Sequence, residues 1–191
     1  MMAVALDPNL CIAVDESVEL RPLRIEDAEM MYYLVHSNRQ HLEAWLPWVH
    51  SIRSVADEAT FIRHSSRDLA AGTNLSCAIV VERSIVGMIG CSIESVNHSA
   101  DIGYWMTTSS EGRGLVTRAA QVLTDFLVTE INVRRVTIRA ATENTRSRAV
   151  AERLGFVHEG TQRDAQIING DFCDLEIYSM LAPEWFSGTL H

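Results

Sequence analysis

"ADIGYWMTTSSEGRGLVTRAAQVLTDFLV", residues 100–128, is the stretch that decides the fold, because three local patterns follow one another in it. Its beginning, "ADIGYWM", has the composition of a β-strand, and two glycines, Gly112 and Gly114, then bracket an arginine. From Leu115 onward the apolar residues recur along one face of a helix. This stretch therefore predicts a strand, a glycine loop and a helix in direct succession.

Further strands are predicted on both sides of that stretch. "RRVTIRA", residues 134–140, follows the helix and can lie parallel to the first strand, because a crossover of this length allows it. "LSCAIVV" (75–81) and "IVGMIGCSI" (85–93) precede it with short connections, which predicts an antiparallel meander. Residues 18–23 alternate in hydrophobicity and predict one more strand.

Two helices are predicted in the N-terminal half. Residues 25–42 carry apolar side chains at helical spacing and acidic side chains in the first turn, and Pro47 should break the helical pattern. A second helix is predicted to begin after Ser54, which forms a capping signature with Asp57, and to stop at Gly72.

The C-terminal part predicts a short helix and a hairpin. The helical pattern of residues 143–156 ends at Gly155, and two strands flank Asn169-Gly170, a strong signal for a tight turn. No repeat or linker divides the chain, so residues 1–191 are expected to form a single domain. The predicted fold class is α/β, with a mixed, mostly antiparallel sheet, one parallel strand pair and helices on both faces.

The composition limits the classes of function. The chain has 191 residues and a formal net charge of −9, so we expect no direct nucleic-acid ligand, and an acidic surface suits a basic substrate. Its four cysteines are far apart and form no C-x-x-C pair, so neither a metal cluster nor a disulfide framework is expected. No apolar run reaches the ~18 residues of a membrane helix, and the N-terminus lacks a signal-peptide pattern. A cytoplasmic protein without a membrane partner is the expectation.

The glycine loop can bind an anion through its backbone alone. The first N–H groups of a helix are unpaired and lie at the positive end of the helix dipole, so a phosphate can bind there. Gly112 and Gly114 let a pyrophosphate approach the backbone, and Arg113 and Arg118 add positive charge. A glycine turn required by geometry alone is the alternative. The spacing matches neither a P-loop nor a dinucleotide fingerprint, which would need a glycine in place of Thr117.

Nearly the whole chain resembles the GCN5-related N-acetyltransferase (GNAT) superfamily, in particular its ribosomal-protein N-acetyltransferase branch. The acetyl-CoA loop of the superfamily has the form Q/R-x-x-G-x-G/A, from which this chain departs with Ser109 at the first position. The matching segments occur in the order of the family; they are "LRPLRIEDAEMMYYLV", "NRQHLEAWLPWV", "GMIGCSIE", "ADIGYW", "EGRGLVTRAA", "ENTRSRAVAERLGFVHEGTQRD" and "INGDFCDLEIYSML".

The resemblance implies a GNAT fold and an enzyme that transfers an acetyl group from acetyl-CoA to an amine, with no metal. It implies that backbone amides bind the CoA pyrophosphate at Gly112, Arg113, Gly114, Leu115 and Val116. It also implies that one strand binds the pantetheine arm through its main chain, at Tyr104, Trp105 and Met106.

The resemblance further implies that Asn144 contacts the CoA arm and that Ser147 stabilises or protonates the departing thiolate. From the residues alone, Asn144 is equally a helix N-cap, with Ser147 in the first turn. The general base is open, because Gln166 stands where some relatives have a glutamate. Glu94 and Asp164 are the candidates, and a relaying water or an already neutral N-terminal amine is the alternative.

Aromatic residues around Pro47 are a second candidate feature. Trp45 and Trp48 are either core or lid residues, or they wall the acceptor site, where aromatic faces can hold a cationic chain end. His41 and His50 lie near this region without a motif partner.

Three functions fit these patterns. The first is acetylation of the N-terminal α-amine of a ribosomal or other protein, and the second is acetylation of a small amine such as a polyamine or an aminoglycoside. The third is a CoA-binding protein without catalysis, against which the retained glycine loop, Asn144 and Ser147 argue. Relatives of this kind are often dimers, so a homodimer is compatible with the resemblance.

Overall fold

The computed structural model describes residues 6–188, which form one eight-stranded sheet with helices on both faces. The strand order across the sheet is β1-β2-β3-β4-β5-β6-β8-β7. The strands are β1 (Ile12–Ala13), β2 (Val18–Pro22), β3 (Asn74–Val81), β4 (Ser84–Glu94), β5 (Ser99–Met106), β6 (Arg135–Ala141), β7 (Val157–Ile168) and β8 (Asp171–Leu181). The helices are α1 (Ala28–Ser37), α2 (Arg39–Glu43), α3 (Val55–Ala71), α4 (Leu115–Thr129), α5 (Thr145–Arg153) and α6 (Ala182–Gly188). None of the helices in residues 6–188 is long and apolar enough to cross a membrane.

The topology confirms the predicted fold class. Strands β3, β4 and β5 form the antiparallel meander, and β5 pairs with β6 in parallel across the α4 crossover. All other pairings among the described strands are antiparallel. The parallel pair places the starts of α4 and α5 beside each other, because each helix follows the carboxyl end of one of these two strands.

The central strand β3 is buried on both faces and divides the core in two. Cys77 and Ile79 point to the side covered by α4 and α5, whereas Ala78 and Val80 point to the side covered by α1 and α3. Successive side chains of a strand alternate between faces, so a continuous apolar run is required wherever helices cover both sides. The two core clusters therefore lie on opposite faces of the same sheet.

The predicted start and end of α3 and the predicted hairpin turn are confirmed, because each depends only on neighbouring residues. The hydroxyl of Ser54 accepts a hydrogen bond from the N–H of Asp57 at 3.3 Å, and α3 ends at Gly72 with φ of +67°. Asn169 and Gly170 both have positive φ, as the predicted two-residue hairpin turn requires.

The predicted helix over residues 25–42 is divided, and Asn38 is the reason. Its amide donates to the carbonyl of Leu34 at 2.9 Å and ends α1, while its Oδ1 accepts the N–H of Thr108 at 3.0 Å. This second bond ties the joint between α1 and α2 to the segment after β5, and so places α2 beside the end of that strand. The pattern did not predict β1 and α6, which are short.

One inward-facing residue of α3 is an acid. Glu58 is 2% exposed and shares the buried side of the helix with Ile62, Ser65 and Leu69. No described residue donates a hydrogen bond to its carboxyl group. Burial, together with the nearby charge of Asp57, raises the pKa of Glu58 from 4.5 to about 7.

We expect Glu58→Gln to stabilise the protein at pH 8 and to have little effect at pH 5. The folded state holds the Glu58 proton up to about pH 7, whereas the unfolded state releases it near 4.5. Stability is therefore lost as pH rises through that window and is not regained above it. The variant should melt several degrees higher at pH 8, since each kcal/mol of stability moves Tm by roughly 2–4 °C in a domain of this size.

Calorimetric melting at both pH values checks this expectation. The matched control is Glu82→Gln, which neutralises an exposed carboxylate in the turn between β3 and β4. A difference in Tm that is the same at pH 5 and pH 8 would contradict the assigned titration of Glu58.

Candidate active site

The sheet opens between β5 and β6. Parallel pairing joins residues 99–102 of β5 to residues 135–138 of β6 and ends there. Residues 103–106 stay paired to β4, and residues 139–141 pair only with β8. In the described chain, the edge of residues 103–106 that faces β6 therefore has no strand partner. Its backbone groups are available to an extended ligand, as at other exposed sheet edges.

A cavity of about 690 Å³, here called the main cavity, lies at this opening. It contains nine of the residues predicted to form the site: Tyr104, Trp105, Met106, Gly112, Gly114, Leu115, Val116, Asn144 and Ser147. The remaining lining comes from α2 with the residues after it, from the glycine loop and the residues just before it, from the start of α4, and from one side of α5. These residues are His41, Leu42, Trp45, Leu46, Ser110, Glu111, Thr117, Arg118, Arg146, Val150 and Arg153.

The glycine loop has the open geometry that an anion site needs. Gly112 and Gly114 have φ of +75° and +68°, the left-handed region that glycine adopts without steric cost. A Cβ at Gly112 would meet no described atom within 4 Å, so open space lies in front of the backbone. Gly114 is the N-cap of α4 and supplies no capping side chain. The first N–H groups of α4 are therefore left for a ligand.

Three guanidinium groups line the main cavity, although the chain as a whole is acidic. Arg118 donates to the carbonyl of Arg113 at 3.1 Å and so lies against the glycine loop, and Arg153 donates to Thr117 at 3.1 Å. The side chain of Arg113 itself does not line the cavity. Sequence reasoning missed Arg146 and Arg153, although their spacing of seven places them on one side of α5.

Ser147 and Tyr104 form a hydrogen-bonded pair inside the main cavity. The Tyr104 hydroxyl lies 3.1 Å from Oγ of Ser147 and donates to the Ser147 carbonyl at 3.0 Å. Burial raises the pKa of Tyr104 to about 12, so the phenol stays protonated at neutral pH.

Asn144 is the N-cap of α5, which is the role that the sequence alone suggested for it. Its Oδ1 accepts the N–H of Ser147 at 3.1 Å, which orients the first turn of the helix. The oxygen end of the amide is thereby used inside the protein, and the NH₂ end is left to donate to a ligand.

The candidate bases are not brought to the main cavity. Glu94 pairs with Ser99 at the far end of the β4–β5 hairpin, whereas Gly87 pairs with Met106 at the cavity. That separation along β4 corresponds to roughly 23 Å at ~3.3 Å per residue. The exposed carboxylate of Glu94 accepts the N–H of Val96 at 3.0 Å. Glu94 was a candidate because it lies at the end of a central strand, but the main cavity lies at the opposite end of that strand.

The other two positions considered for a base also lie elsewhere. Asp164 occupies an irregularity of β7 with φ of +50°, and its N–H donates to Asp174. Gln166 pairs with Cys173 in the terminal hairpin and does not line the main cavity.

The structure does bring one carboxylate to the main cavity, that of Glu111. His41 lies 2.8 Å from one of its oxygens, and Arg146 pairs with the other. His41 thus has a partner that no local motif indicated, since the two residues lie on separate elements. Trp45 lines the same cavity, whereas Trp48 lines a different one.

Comparison with known proteins gives a consistent family. The model of the acetyltransferase (GNAT) domain family matches residues 17–157. The putative ribosomal N-acetyltransferase YdaF of Bacillus subtilis is 36% identical over 174 residues, which are 90% of this chain and 95% of that protein. The ribosomal-protein-serine acetyltransferase of Escherichia coli is 29% identical over 171 residues, which are 89% and 96% of the two chains.

Solved structures show the same likeness. RimL, a ribosomal L7/L12 α-N-protein acetyltransferase in complex with coenzyme A, superposes with a TM-score of 0.89 at 26% identity, covering 92% of this chain and 99% of that one. The microcin C7 self-immunity acetyltransferase MccE, in complex with acetyl-CoA and AMP, superposes with a TM-score of 0.87 at 30% identity, covering 93% and 98%.

Proposed function

Because the chain belongs to the acetyltransferase (GNAT) family, we propose that it acetylates the N-terminal α-amine of a ribosomal or other protein, with acetyl-CoA as the co-substrate. The observation that carries the donor half of this proposal is the opening between β5 and β6 above an uncapped helix start. The acceptor half is supported by the relatives, two of which are named for the acetylation of serine or alanine in ribosomal proteins.

The described residues fit the pantetheine arm and the pyrophosphate of acetyl-CoA. The unpaired edge of residues 103–106 can hydrogen-bond the amides of pantetheine, and the NH₂ group of Asn144 can donate to the same arm. The N–H groups at residues 112–116 can bind the pyrophosphate. Arg118, Arg146 and Arg153 add charge where phosphates would lie.

Acetyl transfer requires one proton to leave the acceptor amine and favours the addition of another to the departing sulfur. An amide bond forms between the acceptor nitrogen and the carbonyl carbon, and the bond between carbon and sulfur breaks. The amine must lose a proton, and the departing thiolate is stabilised by gaining one or by accepting a hydrogen bond. Ser147 and Tyr104 stabilise the departing thiolate.

Ser147 acts as the hydrogen-bond donor to the thiolate. Tyr104 donates its own proton to the carbonyl of Ser147, so its oxygen is free to accept the serine hydroxyl and hold it in the cavity. As negative charge grows on sulfur, the serine hydroxyl gains by turning toward it. Tyr104 is in this scheme a positioning residue.

Deprotonation of the acceptor follows from its own ionisation. Glu111 is the carboxylate that the described residues bring to the main cavity, and both of its oxygens are already paired, one with His41 and the other with Arg146. An α-amine has a pKa of about 8, so a useful fraction is neutral near pH 7 without a strong base. This assignment also accounts for the placement of Glu94 and Gln166 away from the cavity.

Gly114→Asp should weaken acetyl-CoA binding by about 10- to 100-fold, because it places a negative charge where the pyrophosphate binds. Gly114→Asn is the matched control, since asparagine has the same shape and tolerates the same left-handed backbone. Titration calorimetry with acetyl-CoA measures both. Equal affinities of the two variants for acetyl-CoA would contradict the assignment of the pyrophosphate to this loop.

Ser147→Ala should lower kcat by about 10²-fold while the Kd for acetyl-CoA changes less than about threefold, because the hydroxyl acts mainly as the thiolate forms. Tyr104→Phe should cost less, about tenfold, since the serine remains. Steady-state rates with an N-terminal peptide and binding titrations separate the two effects. The exposed Ser84→Ala serves as control, and a wild-type kcat in Ser147→Ala would exclude the serine from the mechanism.

The acceptor class is tested by thiol release from acetyl-CoA against a panel of amines. Peptides with a free N-terminal serine or alanine should have kcat/KM at least about tenfold above those of a polyamine or an aminoglycoside, and N-terminally blocked peptides should be inert. A small amine as the best acceptor would overturn the proposal in favour of the second function. Release with none of them, despite acetyl-CoA binding, would favour a protein without catalysis.

A further inference from the structure

We propose that a second cavity, between α1, α3 and the sheet, binds an alkylammonium group of the acceptor, namely a lysine or arginine side chain close to the acetylated N-terminus. The carboxyl group of Glu58 and the surrounding aromatic rings would hold this group. The inference rests on the proposed function in one respect, that the acceptor is a peptide.

The second cavity has a volume of about 530 Å³ and aromatic walls. The rings of Trp48 and Trp105 form a tilted pair with centroids 6.3 Å apart at an angle of 51°, and Phe61 also lines the cavity. Trp48 and Phe61 are 37% and 36% exposed, so the rim of the cavity is open to solvent. A side chain can therefore enter from outside without unfolding any element.

The second cavity contains a buried acid that has no hydrogen-bond partner among the described residues. Glu58 lines it, is 2% exposed, and receives no hydrogen bond from any residue in the range 6–188. The neighbouring Asp57 is already occupied, since it accepts from the N–H of Arg53 and from the Ser54 hydroxyl. His64 is the remaining titratable residue of the lining and is exposed.

These features select one chemical class of ligand. A buried carboxyl group costs free energy unless a partner satisfies it, and an ammonium or guanidinium group supplies both charge and hydrogen bonds. Aromatic faces attract the same cations and also cover an aliphatic stem. Anions are disfavoured by the acid. The acidic chain as a whole, at −9, favours a basic partner as well.

The second cavity adjoins the place of acetyl transfer through Trp105, which lines both cavities. Tyr104 packs against the core under α4 and α5, whereas Trp105 belongs to the core under α1 and α3. An acceptor amine that reaches the opening from the side of Trp105 leaves the rest of its peptide next to the second cavity. The indole N–H of Trp105 is buried without an acceptor in the described chain and can donate to a peptide carbonyl.

The test compares peptides that differ by one charge. Peptides with a free N-terminal serine carry either lysine or the neutral isostere norleucine at position two, three or four. For wild type, and for Glu82→Gln as the exposed-acid control, we expect kcat/KM to favour lysine about tenfold at one position. In Glu58→Gln this ratio should fall to about one. An unchanged ratio in Glu58→Gln, or no preference for lysine in wild type, would overturn the inference.

A binding measurement without acetyl-CoA separates this inference from the proposed function. Pentylammonium should raise the Tm of wild type and of Glu82→Gln more than pentanol does, and Glu58→Gln should lose that difference. If no peptide is acetylated but this dependence on Glu58 persists, the site stands and the proposed acceptor is wrong. Spermidine as an acceptor whose KM depends on Glu58 would then identify a small amine as the source of the ammonium group. If peptides are acetylated and pentylammonium gives no difference, the inference fails alone.

Discussion

The separation of β5 from β6 after a few parallel residues is the constraint on which the site depends. Each strand keeps its antiparallel partner, β4 on one side and β8 on the other, so the two edges diverge instead of closing the sheet. Backbone groups left unpaired in a protein interior must find partners. A ligand with its own amides can supply them. The chemical groups of the main cavity lie around this opening because the strands, loops and helices that carry them all begin or end there.

The two helices that start at the opening differ in how the backbone N–H groups of their first turns find hydrogen-bond partners. The side chain of Asn144 caps α5 and closes that helix start within the chain. Gly114 caps α4 without a side chain, so its N–H groups remain for an external anion. The same topology thus gives one helix that positions Ser147 and another that can bind phosphate. This difference depends on a single residue type at each N-cap.

Sequence reasoning succeeded where the cause is local. The cap at Ser54, the stop at Gly72, the Asn169-Gly170 turn and the amphipathic α4 each need only neighbouring residues, and each is confirmed. The break at Asn38 could not be predicted, because it depends on a hydrogen bond to Thr108 far along the chain. The pairing of His41 with Glu111 is also tertiary. The placement of Glu94 away from the main cavity could not be predicted, because strand length and direction, rather than residue type, decide which end of β4 meets the cavity. The charge of Glu58 in a helix's first turn gave no sign of its burial.

Alternation along β5 ties the chemistry of the two faces together. Tyr104 and Trp105 are neighbours in sequence and therefore point to opposite sides of the sheet, one toward Ser147 and the other toward the second cavity. On the proposed assignments, Ser147 donates a hydrogen bond to the thiolate on one face of the sheet, and the acceptor approaches from the other face. The positive charge lies near the glycine loop, whereas the acid Glu58 lies beside the aromatic walls of the second cavity. A shift of β5 by one residue would exchange the two side chains and abolish both arrangements at once. Eight register pairs with β4 resist such a shift, including Gly87, where a Cβ would lie 2.4 Å from the carbonyl oxygen of Trp105. Gly87 thus permits the close backbone approach that this register, and with it the whole site, requires.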